Sequence, residues 1–316
     1  MTPARLKIST NNSQPPADVL VVGSVAYDDI ITPYTTGERI LGGAAAYAAL
    51  AASYFAPTRI VGVVGNDFDQ KHWDRLSNHG IDLEGMQVDE SGPTFYWKGM
   101  YHENFNHRET LELELGVFSN FRPTLPEKYK ETSFIMLGNI DPELQLHVLD
   151  QTLKHTFVLA DTMDFWIETK RHEVRELIRK TDLFAINDSE AKMLTEENNL
   201  ILAGYKIRDM GAKYVVVKKG EHGAYLFYPG GVFALPAYPI TGIKDPTGAG
   251  DTFAGGLLGY LAAVQKTDLE SIKQAMLYAT ATASVTVEDF SCDRLEHAGP
   301  QLIEERVQAL REMVTF

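Results

Sequence analysis

The chain of 316 residues has a hydrophobic content of 44%, enough to bury a full core in one large α/β domain or in two smaller ones. Its formal net charge of −14 argues against a nucleic-acid partner, because such binding depends largely on the neutralisation of phosphates. An anionic substrate must therefore be held by a local group of donors. The single cysteine, Cys292, excludes an internal disulfide, and we interpret it as an unreactive thiol in a reducing compartment.

The first 18 residues are polar, contain Pro15 and Pro16, and lack the apolar region of a signal peptide. The longest apolar run, residues 253–264, is shorter than the roughly 20 residues that cross a bilayer. We therefore expect a polar tail over residues 1–18, one folded domain over residues 19–316, no membrane partner and a cytoplasmic location.

Short β-rich runs alternate with helical apolar spacing along most of the domain. The predicted strands are residues 19–24, 59–64, 134–137, 157–160, 183–186 and 214–218. The predicted helices are residues 43–55, 144–153, 168–180 and 200–210. This order predicts an α/β fold with a mainly parallel sheet that is covered by helices on both faces.

One region breaks that pattern. Residues 94–102 and 110–115 alternate apolar and polar side chains, which predicts two antiparallel strands with one covered face, joined through residues 103–107. Residues 28–40 supply two more short strands around Pro33 and Gly37. We interpret segments 28–41 and 92–118 as a small β-sheet lid over a site; an ordinary solvated hairpin is the alternative.

The strongest chemical signal is the run Asp245-Pro-Thr-Gly-Ala-Gly-Asp251, which is followed at once by an apolar helical segment. The small residues Gly248, Ala249 and Gly250 leave the first N–H groups of that helix uncovered, so they can surround phosphate oxygens. Asp251 beside them is suited to accept the proton of an acceptor hydroxyl during phosphoryl transfer. A glycine-rich turn with a capping aspartate is the alternative interpretation.

Other candidates lie where predicted strands and helices meet. Asp28 follows the first strand, where a carboxylate can accept hydrogen bonds from sugar hydroxyls, although Asp29 competes for that role. Gly42 and Gly43 open the alanine-rich helix, and their missing Cβ atoms permit either close approach of a ligand or tight packing on the sheet.

Three further residues follow later strands. Asn187 and Glu190 share one side of an opening helix, where they suit water-mediated binding of Mg²⁺ or, equally, a capping box. Lys218 ends the strand at 214–218, from which an ammonium group can reach nucleotide phosphates; Lys219 is its competitor.

Four segments together resemble the ribokinase-like (PfkB) carbohydrate kinase family over residues 18 to about 291. Residues 245–256 resemble its C-terminal signature, and residues 41–52 resemble its N-terminal glycine-pair signature. Asn187 and Glu190 match its Asn-x-x-Glu motif, and residues 217–223 match its Lys-x-Gly-x-x-Gly pattern. Neither a Walker A loop nor a dinucleotide fingerprint is found.

The resemblance implies a three-layer α/β/α fold with a lid. It also implies an ATP-dependent kinase that phosphorylates a hydroxyl of a small sugar, and we expect this hydroxyl to be a CH2OH group. It implies Asp251 as the base, with Gly248, Ala249 and Gly250 as the anion hole, and Asp28, Gly42 and Gly43 at the acceptor. It further implies ATP at Asn187, Lys218, Gly220, Gly223 and Thr247, water-mediated Mg²⁺ at Glu190, a monovalent cation such as K⁺ at Asp245 with Thr247, and homodimers through the lid.

The acceptor is less defined by the sequence. The ribokinase branch has Asn where this chain has Ala26 and Tyr47, and Tyr47 with the lid residue Trp97 would suit a base or a sugar face. A nucleoside kinase is therefore the alternative to a sugar kinase. A phosphorylated acceptor is less favoured because the lid has few cations. It stays an alternative because Arg108, beside His107, is a cation of the lid. Residues 161–166 are further candidates to line the pocket, with core packing or a helix cap as equally good interpretations.

A non-catalytic sensor of sugar or nucleotide on the same fold is the hypothesis from another functional class. The intact Asp251 and its loop favour catalysis, because a retired enzyme would be free to lose both.

Overall fold

Two β-sheets organise the chain in a computed structural model that describes residues 5–6, 8, 15–103, 105 and 108–315. The described residues form a nine-stranded sheet, a four-stranded sheet and eleven α-helices. The strands are β1 Val19–Val22, β2 Ala26–Ile31, β3 Thr36–Gly42, β4 Thr58–Gly65, β5 Ile81–Asp89, β6 Phe95–Tyr101, β7 Arg108–Glu114, β8 Phe134–Leu137, β9 Phe157–Asp161, β10 Leu183–Asn187, β11 Tyr214–Lys218, β12 Ala224–Tyr228 and β13 Gly231–Leu235.

The helices cover both faces of the large sheet, and they are α1 Ala44–Ser53, α2 Gln70–Asn78, α3 Pro142–Gln151, α4 Asp164–Thr169, α5 Arg171–Arg179, α6 Asp188–Thr195, α7 Leu200–Asp209, α8 Ala249–Val264, α9 Leu269–Thr286, α10 Asp293–His297 and α11 Gly299–Val314. The predicted α/β class is confirmed. One predicted helix, 168–180, is wrong as a single element, because the chain breaks at Lys170 between α4 and α5.

The large sheet has the strand order β13-β12-β11-β10-β9-β8-β1-β4-β5. All neighbours from β11 to β5 pair in parallel, and only β12 and β13 are antiparallel. Strands β1, β8 and β9 are buried along their whole length, as the continuous apolar runs predict. From β1 the chain continues to β4 and β5 on one side of that strand and then returns to β8 and β9 on the other. At such a reversal the carboxyl ends of the strands open into a crevice of the kind that binds ligands in such folds.

Helices α1 and α8 pack against each other at the centre of one face. The alanines of α1 meet glycines of α8: a Cβ at Gly255 would overlap the backbone of Ala48, and one at Gly259 would lie 2.9 Å from the Cα of Ala52. Because neither glycine carries a side chain, the two helix backbones approach closely. This contact fixes the start of α8 over the crevice.

The small sheet has the order β3-β2-β6-β7 and forms the predicted lid. Strands β2 and β6 pair in parallel, whereas the two outer pairs are antiparallel. The buried side chains of Ile30, Trp97, Tyr101 and Phe290 form a separate small cluster beneath it. Of the predicted connection 103–107, residues 104, 106 and 107 lie outside the described residues.

The described part of the first 18 residues packs on the domain. Leu6 is buried, and its N–H donates to the carbonyl of Tyr54, while Ala17 N–H donates to the carbonyl of Ala262. The rest of the predicted polar tail lies outside the described residues. In the described part of the chain, no helix combines the length and apolar character that a membrane span requires.

Candidate active site

Three neighbouring parallel strands end in polar side chains at the crevice. Asp161 ends β9, Asn187 ends β10 and Lys218 ends β11, and the strand register places Asn187 directly beside Lys218. Lys218 Nζ donates to Asp161 Oδ2 at 2.8 Å, and both side chains are largely buried. Burial alone would lower the pKa of Lys218, but the Asp161 and Glu190 carboxylates outweigh it and raise that pKa above its usual value.

The start of α8 faces these strand ends. Gly248 caps the helix in the left-handed conformation, with φ +73°, and Ala249, Gly250 and Asp251 form the first turn. A Cβ at Gly250 would lie 2.9 Å from Lys218 Nζ, so the glycine leaves room for the ammonium group beside the uncovered helix terminus. Lys219 points elsewhere, with its Nζ 3.6 Å from the centre of the Tyr225 ring. The structure therefore brings Lys218 to the loop of residues 245–251, which leads into α8, and leaves Lys219 away from it.

Asp251 occupies a charged and partly buried position. Burial and then the Asp161 carboxylate raise the pKa of Asp251 to about 7, while Lys218 and Arg108 act in the opposite direction. A carboxylate with a pKa near neutrality is well suited to accept a proton at physiological pH.

Asn187 and Glu190 form the capping box that was one of their two sequence interpretations. Asn187 Oδ1 accepts from Glu190 N–H at 2.8 Å, and Glu190 Oε2 accepts from Asn187 N–H at 2.9 Å. Burial and the Asp161 carboxylate raise the pKa of Glu190 to about 8, against the effect of Lys218. The box holds the Glu190 carboxylate close to the Lys218–Asp161 pair.

Asp245 lies behind the loop and is 1% exposed. Its Oδ1 accepts from Thr247 N–H at 2.8 Å, whereas its Oδ2 is buried and has no hydrogen-bond partner among the described residues. Burial raises the pKa of Asp245 to about 6, and the hydrogen bond from Thr247 opposes that rise.

Tyr47 lies beneath the same loop, which corrects its predicted role. The ring is 1% exposed and contacts Gly248 so closely that a Cβ there would overlap it. No ring face is therefore open for a base or a sugar, because the ring supports the loop from behind. Its hydroxyl is buried without a partner among the described residues.

Asp28 lies on β2 and is 4% exposed. A Cβ at Gly42 would overlap the Asp28 carboxylate, so this glycine is what lets the carboxylate occupy its place. Burial, followed by the charges of Asp245 and Asp251, raises the pKa of Asp28 well above its usual range. Asp29 points to the other face of the lid, where Oδ1 accepts from Arg39 N–H at 2.7 Å.

The neighbouring Gly43, with φ +91°, lies so close to the carbonyl of Ser24 that a Cβ would overlap it. Gly43 therefore allows tight packing at the start of α1, and this was one of its two interpretations. Trp97 stands beside Asp28 in the β2–β6 register. It is 9% exposed, and its Nε1 donates to Thr110 Oγ1 at 3.1 Å.

The lid touches the loop directly. Thr247 Oγ1 donates to the Tyr101 hydroxyl at 3.1 Å, so a residue of β6 contacts the run that begins α8. The two remaining glycines of the nucleotide motif, Gly220 and Gly223, form the turn after Lys218, with φ of +54° and +80°. A Cβ at Gly223 would overlap the carbonyl of Leu235, which explains the glycine there.

Two residues of the site make contacts that the sequence did not predict. Asp161 is the partner of Lys218, and its signal was that it ends a buried strand as Asn187 and Lys218 do. Tyr101 lies in the lid strand predicted over residues 94–102, and its contact with Thr247 is one that the strand pattern does not reveal. The structure thus brings the residues from Asp28 to Asp251 into one crevice, apart from the Gly220–Gly223 turn behind Lys218 and the buried Tyr47.

Comparisons with known proteins identify the family of the chain. The model of the pfkB family carbohydrate kinases matches residues 16–298. A cytidine kinase of Thermococcus kodakarensis is 33% identical over 250 residues, which cover 77% of this chain and 88% of that protein.

Solved structures give the same fold. The Methanocaldococcus jannaschii nucleoside kinase aligns with a TM-score of 0.74 at 22% identity, over 94% of this chain and 100% of that one. The Burkholderia thailandensis nucleoside kinase in complex with inosine aligns with a TM-score of 0.78 at 21% identity, over 92% and 97%. The match to the family model, which spans most of the chain, shows that the protein belongs to the pfkB family of carbohydrate kinases.

Proposed function

We propose that this kinase transfers the γ-phosphoryl group of ATP to the CH2OH group of a ribose-containing acceptor, with a nucleoside as the first candidate and a free sugar as the second. The observation that carries the proposal is the placement of Asp251. Its carboxylate lies in the first turn of α8, near the Lys218–Asp161 pair, and the charge of Asp28 reaches across the same crevice.

The phosphate side of the crevice fits a nucleotide. The α8 terminus offers backbone N–H groups that no side chain of Gly248 or Gly250 covers, and the helix dipole favours negative charge there. Lys218 adds an ammonium group at the same point. Glu190 and Asn187 provide oxygen atoms of the kind that Mg²⁺ prefers, and we assign them a water-mediated role. When bound, ATP supplies the phosphoryl group and Mg²⁺ reduces its negative charge.

Residues of the chain bind the acceptor, accept its proton and stabilise the transferred phosphoryl group. Asp28 orients the acceptor by accepting hydrogen bonds from its hydroxyls, while Asp251 takes the proton of the attacking hydroxyl. The N–H groups of Ala249 and Gly250 stabilise negative charge on the phosphoryl oxygens. The lid contact between Tyr101 and Thr247 keeps water out while transfer occurs.

The relatives favour a nucleoside over a free sugar. A cytidine kinase is similar over most of the chain, and a nucleoside kinase of the same fold was solved with inosine. The lid offers the apolar cluster around Trp97 and Tyr101 on the acceptor side, which suits a base or a sugar face.

A monovalent cation such as K⁺ is proposed behind the loop. Asp245 Oδ2 is buried without a partner among the described residues, and Ser291 beside it has a left-handed backbone, with φ +55°. An unpaired buried carboxylate oxygen is costly, and a cation would satisfy it. Turnover is expected to rise when KCl replaces choline chloride in the wild type, and Asp245→Asn should lose that response. Equal turnover in both salts would exclude the cation role.

A homodimer through the lid is also proposed. Strand β7 is an exposed edge; Leu111 and Leu113 on it are 45% and 52% exposed, and Leu115 directly after it is 43% exposed. We expect light scattering to give a dimer for the wild type and a monomer for Leu113→Lys. The matched control is Leu153→Lys, which changes a leucine that is 71% exposed away from the lid and should leave the dimer intact. A monomeric wild type would rule out the dimer.

The function itself is tested by coupled ADP release with a panel of nucleosides and free pentoses and hexoses. We expect the highest kcat/KM with a nucleoside. A higher value with a free sugar would reverse the two candidates. Saturable binding of these compounds without any ADP release would instead favour a sensor.

A further inference from the structure

The lid brings a cation to the gap between Asp28, which marks the acceptor side of the crevice, and the loop that begins α8. Arg108 begins β7 and stands directly opposite Tyr101 in the β6–β7 pair. Because the Tyr101 hydroxyl accepts from Thr247 at 3.1 Å, this end of the strand pair lies over the loop that begins α8. The Arg108 guanidinium carbon is 5.3 Å from the centre of the Trp97 ring, and Trp97 is the strand neighbour of Asp28.

The guanidinium charge reaches both reactive carboxylates. Burial raises the pKa of Asp28 and of Asp251, and the Arg108 charge opposes that rise at each of them. It also opposes the effect of burial on the pKa of Tyr101. A charge that acts on all three lies within reach of both the acceptor side and the loop, which agrees with its contact to Trp97.

Arg108 is free to take an anionic partner. Its side chain is exposed, and among the residues that the structure describes it forms no ion pair, in contrast to Lys218, which is paired with Asp161. The site also contains the acidic side chains of Asp28, Asp251 and Glu190. Because Asp161 already pairs with Lys218, a phosphoryl group that enters this acidic crevice is stabilised by positive charge beyond that of Lys218 and of the Mg²⁺ that accompanies ATP.

We propose that Arg108 is a catalytic residue that the lid delivers to the transferred phosphoryl group, an inference that rests on the proposed function. During transfer, the bond from the acceptor oxygen to phosphorus forms while the bond from phosphorus to the bridging oxygen of ADP breaks. The hydroxyl proton passes to Asp251, and the electron pair of the broken bond leaves with ADP. The planar guanidinium donates hydrogen bonds to the phosphoryl oxygens and binds them most tightly at the transition state.

This placement also couples transfer to lid closure. Arg108 and Tyr101 belong to the same strand pair, so the hydrogen bond from Thr247 that closes the lid brings the guanidinium with it. An open lid withdraws the charge, which leaves bound ATP less reactive toward water until the acceptor is in place.

The test compares Arg108→Gln and Arg108→Lys with Lys98→Gln as the matched control. Lys98 is a lid cation on the opposite face, and its Nζ lies 4.0 Å from Asp29 Oδ2. Lys98→Gln therefore removes one positive charge from the lid, as Arg108→Gln does, but leaves the charges in the crevice unchanged. With the best acceptor of the panel, Arg108→Gln should lower kcat by about 10²–10³-fold, the loss typical for a donor at a developing charge. KM for the acceptor should stay within about threefold of the wild type, since transition-state binding is what is lost.

Arg108→Lys should recover part of kcat, and Lys98→Gln should behave as the wild type. A second readout is binding of ADP, Mg²⁺ and aluminium fluoride with the acceptor, which mimics the transferred group. Arg108→Gln should weaken this binding while binding of the non-hydrolysable ATP analogue AMP-PNP stays the same. Unchanged thermal unfolding of each variant shows that the lid is intact.

Three outcomes separate the possibilities. An unchanged kcat in Arg108→Gln would overturn the proposal. A rise in KM for the acceptor at constant kcat would overturn it as well, because Arg108 would then bind an anionic group of the acceptor. Absence of turnover in the wild type with every acceptor would refute the proposed function and not the placement of Arg108 alone.

Discussion

Gly248→Ala tests how the loop is supported. Gly248 has φ +73°, and its missing Cβ is the space that the Tyr47 ring occupies. An alanine must therefore adopt a left-handed backbone and also displace a ring that is 1% exposed. Because the Tyr47 ring is packed between the backbone of its own helix, α1, and the loop, it has little room to move.

The two costs can be separated by size. An alanine in the left-handed conformation costs about 1–2 kcal/mol. Overpacking a buried ring adds about 1–3 kcal/mol. We therefore expect Gly248→Ala to lower the free energy of unfolding by about 2–5 kcal/mol.

Gly299→Ala is the matched control for the backbone cost. Gly299 has φ +69°, and among the described residues no atom lies within 4 Å of its Cβ position. Urea unfolding should give a loss of about 1–2 kcal/mol for this variant. In a double-mutant cycle, Tyr47→Leu should remove about 1–3 kcal/mol of the Gly248→Ala penalty, because the smaller side chain leaves space for the new methyl group. Equal losses for Gly248→Ala and Gly299→Ala, with strict additivity in the cycle, would refute the packing of Tyr47 against the loop.

Three further predictions concern the ion pair, a carboxyl group and the lid. Lys218→Met should cost about 3–5 kcal/mol in urea unfolding because Asp161 stays buried and unpaired, and adding Asp161→Asn should recover most of the loss. Glu190 has a pKa of about 8 in the folded protein against an ordinary 4.5, so between these two values the folded state holds a proton that the unfolded state has lost. The free energy of unfolding should therefore fall as pH rises from 4.5 to about 8, and this fall should be less steep in Glu190→Gln. Tyr101→Phe removes the hydrogen bond that Thr247 donates, so it should lower the free energy of unfolding by about 0.5–1.5 kcal/mol and, by loosening the lid, raise KM for the acceptor about 2- to 10-fold.

Local patterns were sufficient for the inner strands of the large sheet. The bounds of β8 and β11 agree with the prediction because buried parallel strands are continuous apolar runs that end where the chain turns polar. Strand β5 was not predicted, since it lies at the sheet edge and mixes buried with exposed residues. The break between α4 and α5 was also missed. There Lys170 Nζ pairs with Asp141 at 2.7 Å, a tertiary contact that no helical periodicity reveals.

The site shows the same division between local motifs and distant contacts. The motifs identified Asp251, Lys218 and the Asn187–Glu190 pair, because each has a recognisable spacing. The partner of Lys218 was not identified, since Asp161 is 57 residues away and only the strand register brings the two together. Tyr47 shows the opposite error: an aromatic residue beside the acceptor motif suggested stacking, but helix packing turns its ring under the loop.

The measurement that tests the central claim most directly is turnover of Asp251→Asn, by coupled ADP release with the best acceptor. Asparagine keeps the size and the helix position but cannot take the proton, so kcat should fall by about 10²–10⁴-fold while acceptor and ATP binding stay near those of the wild type. For the wild type, kcat/KM should decline as pH falls below the pKa of about 7 that burial and Asp161 give to Asp251. Equal turnover in Asp251→Asn and the wild type would contradict the assignment of Asp251 as the base.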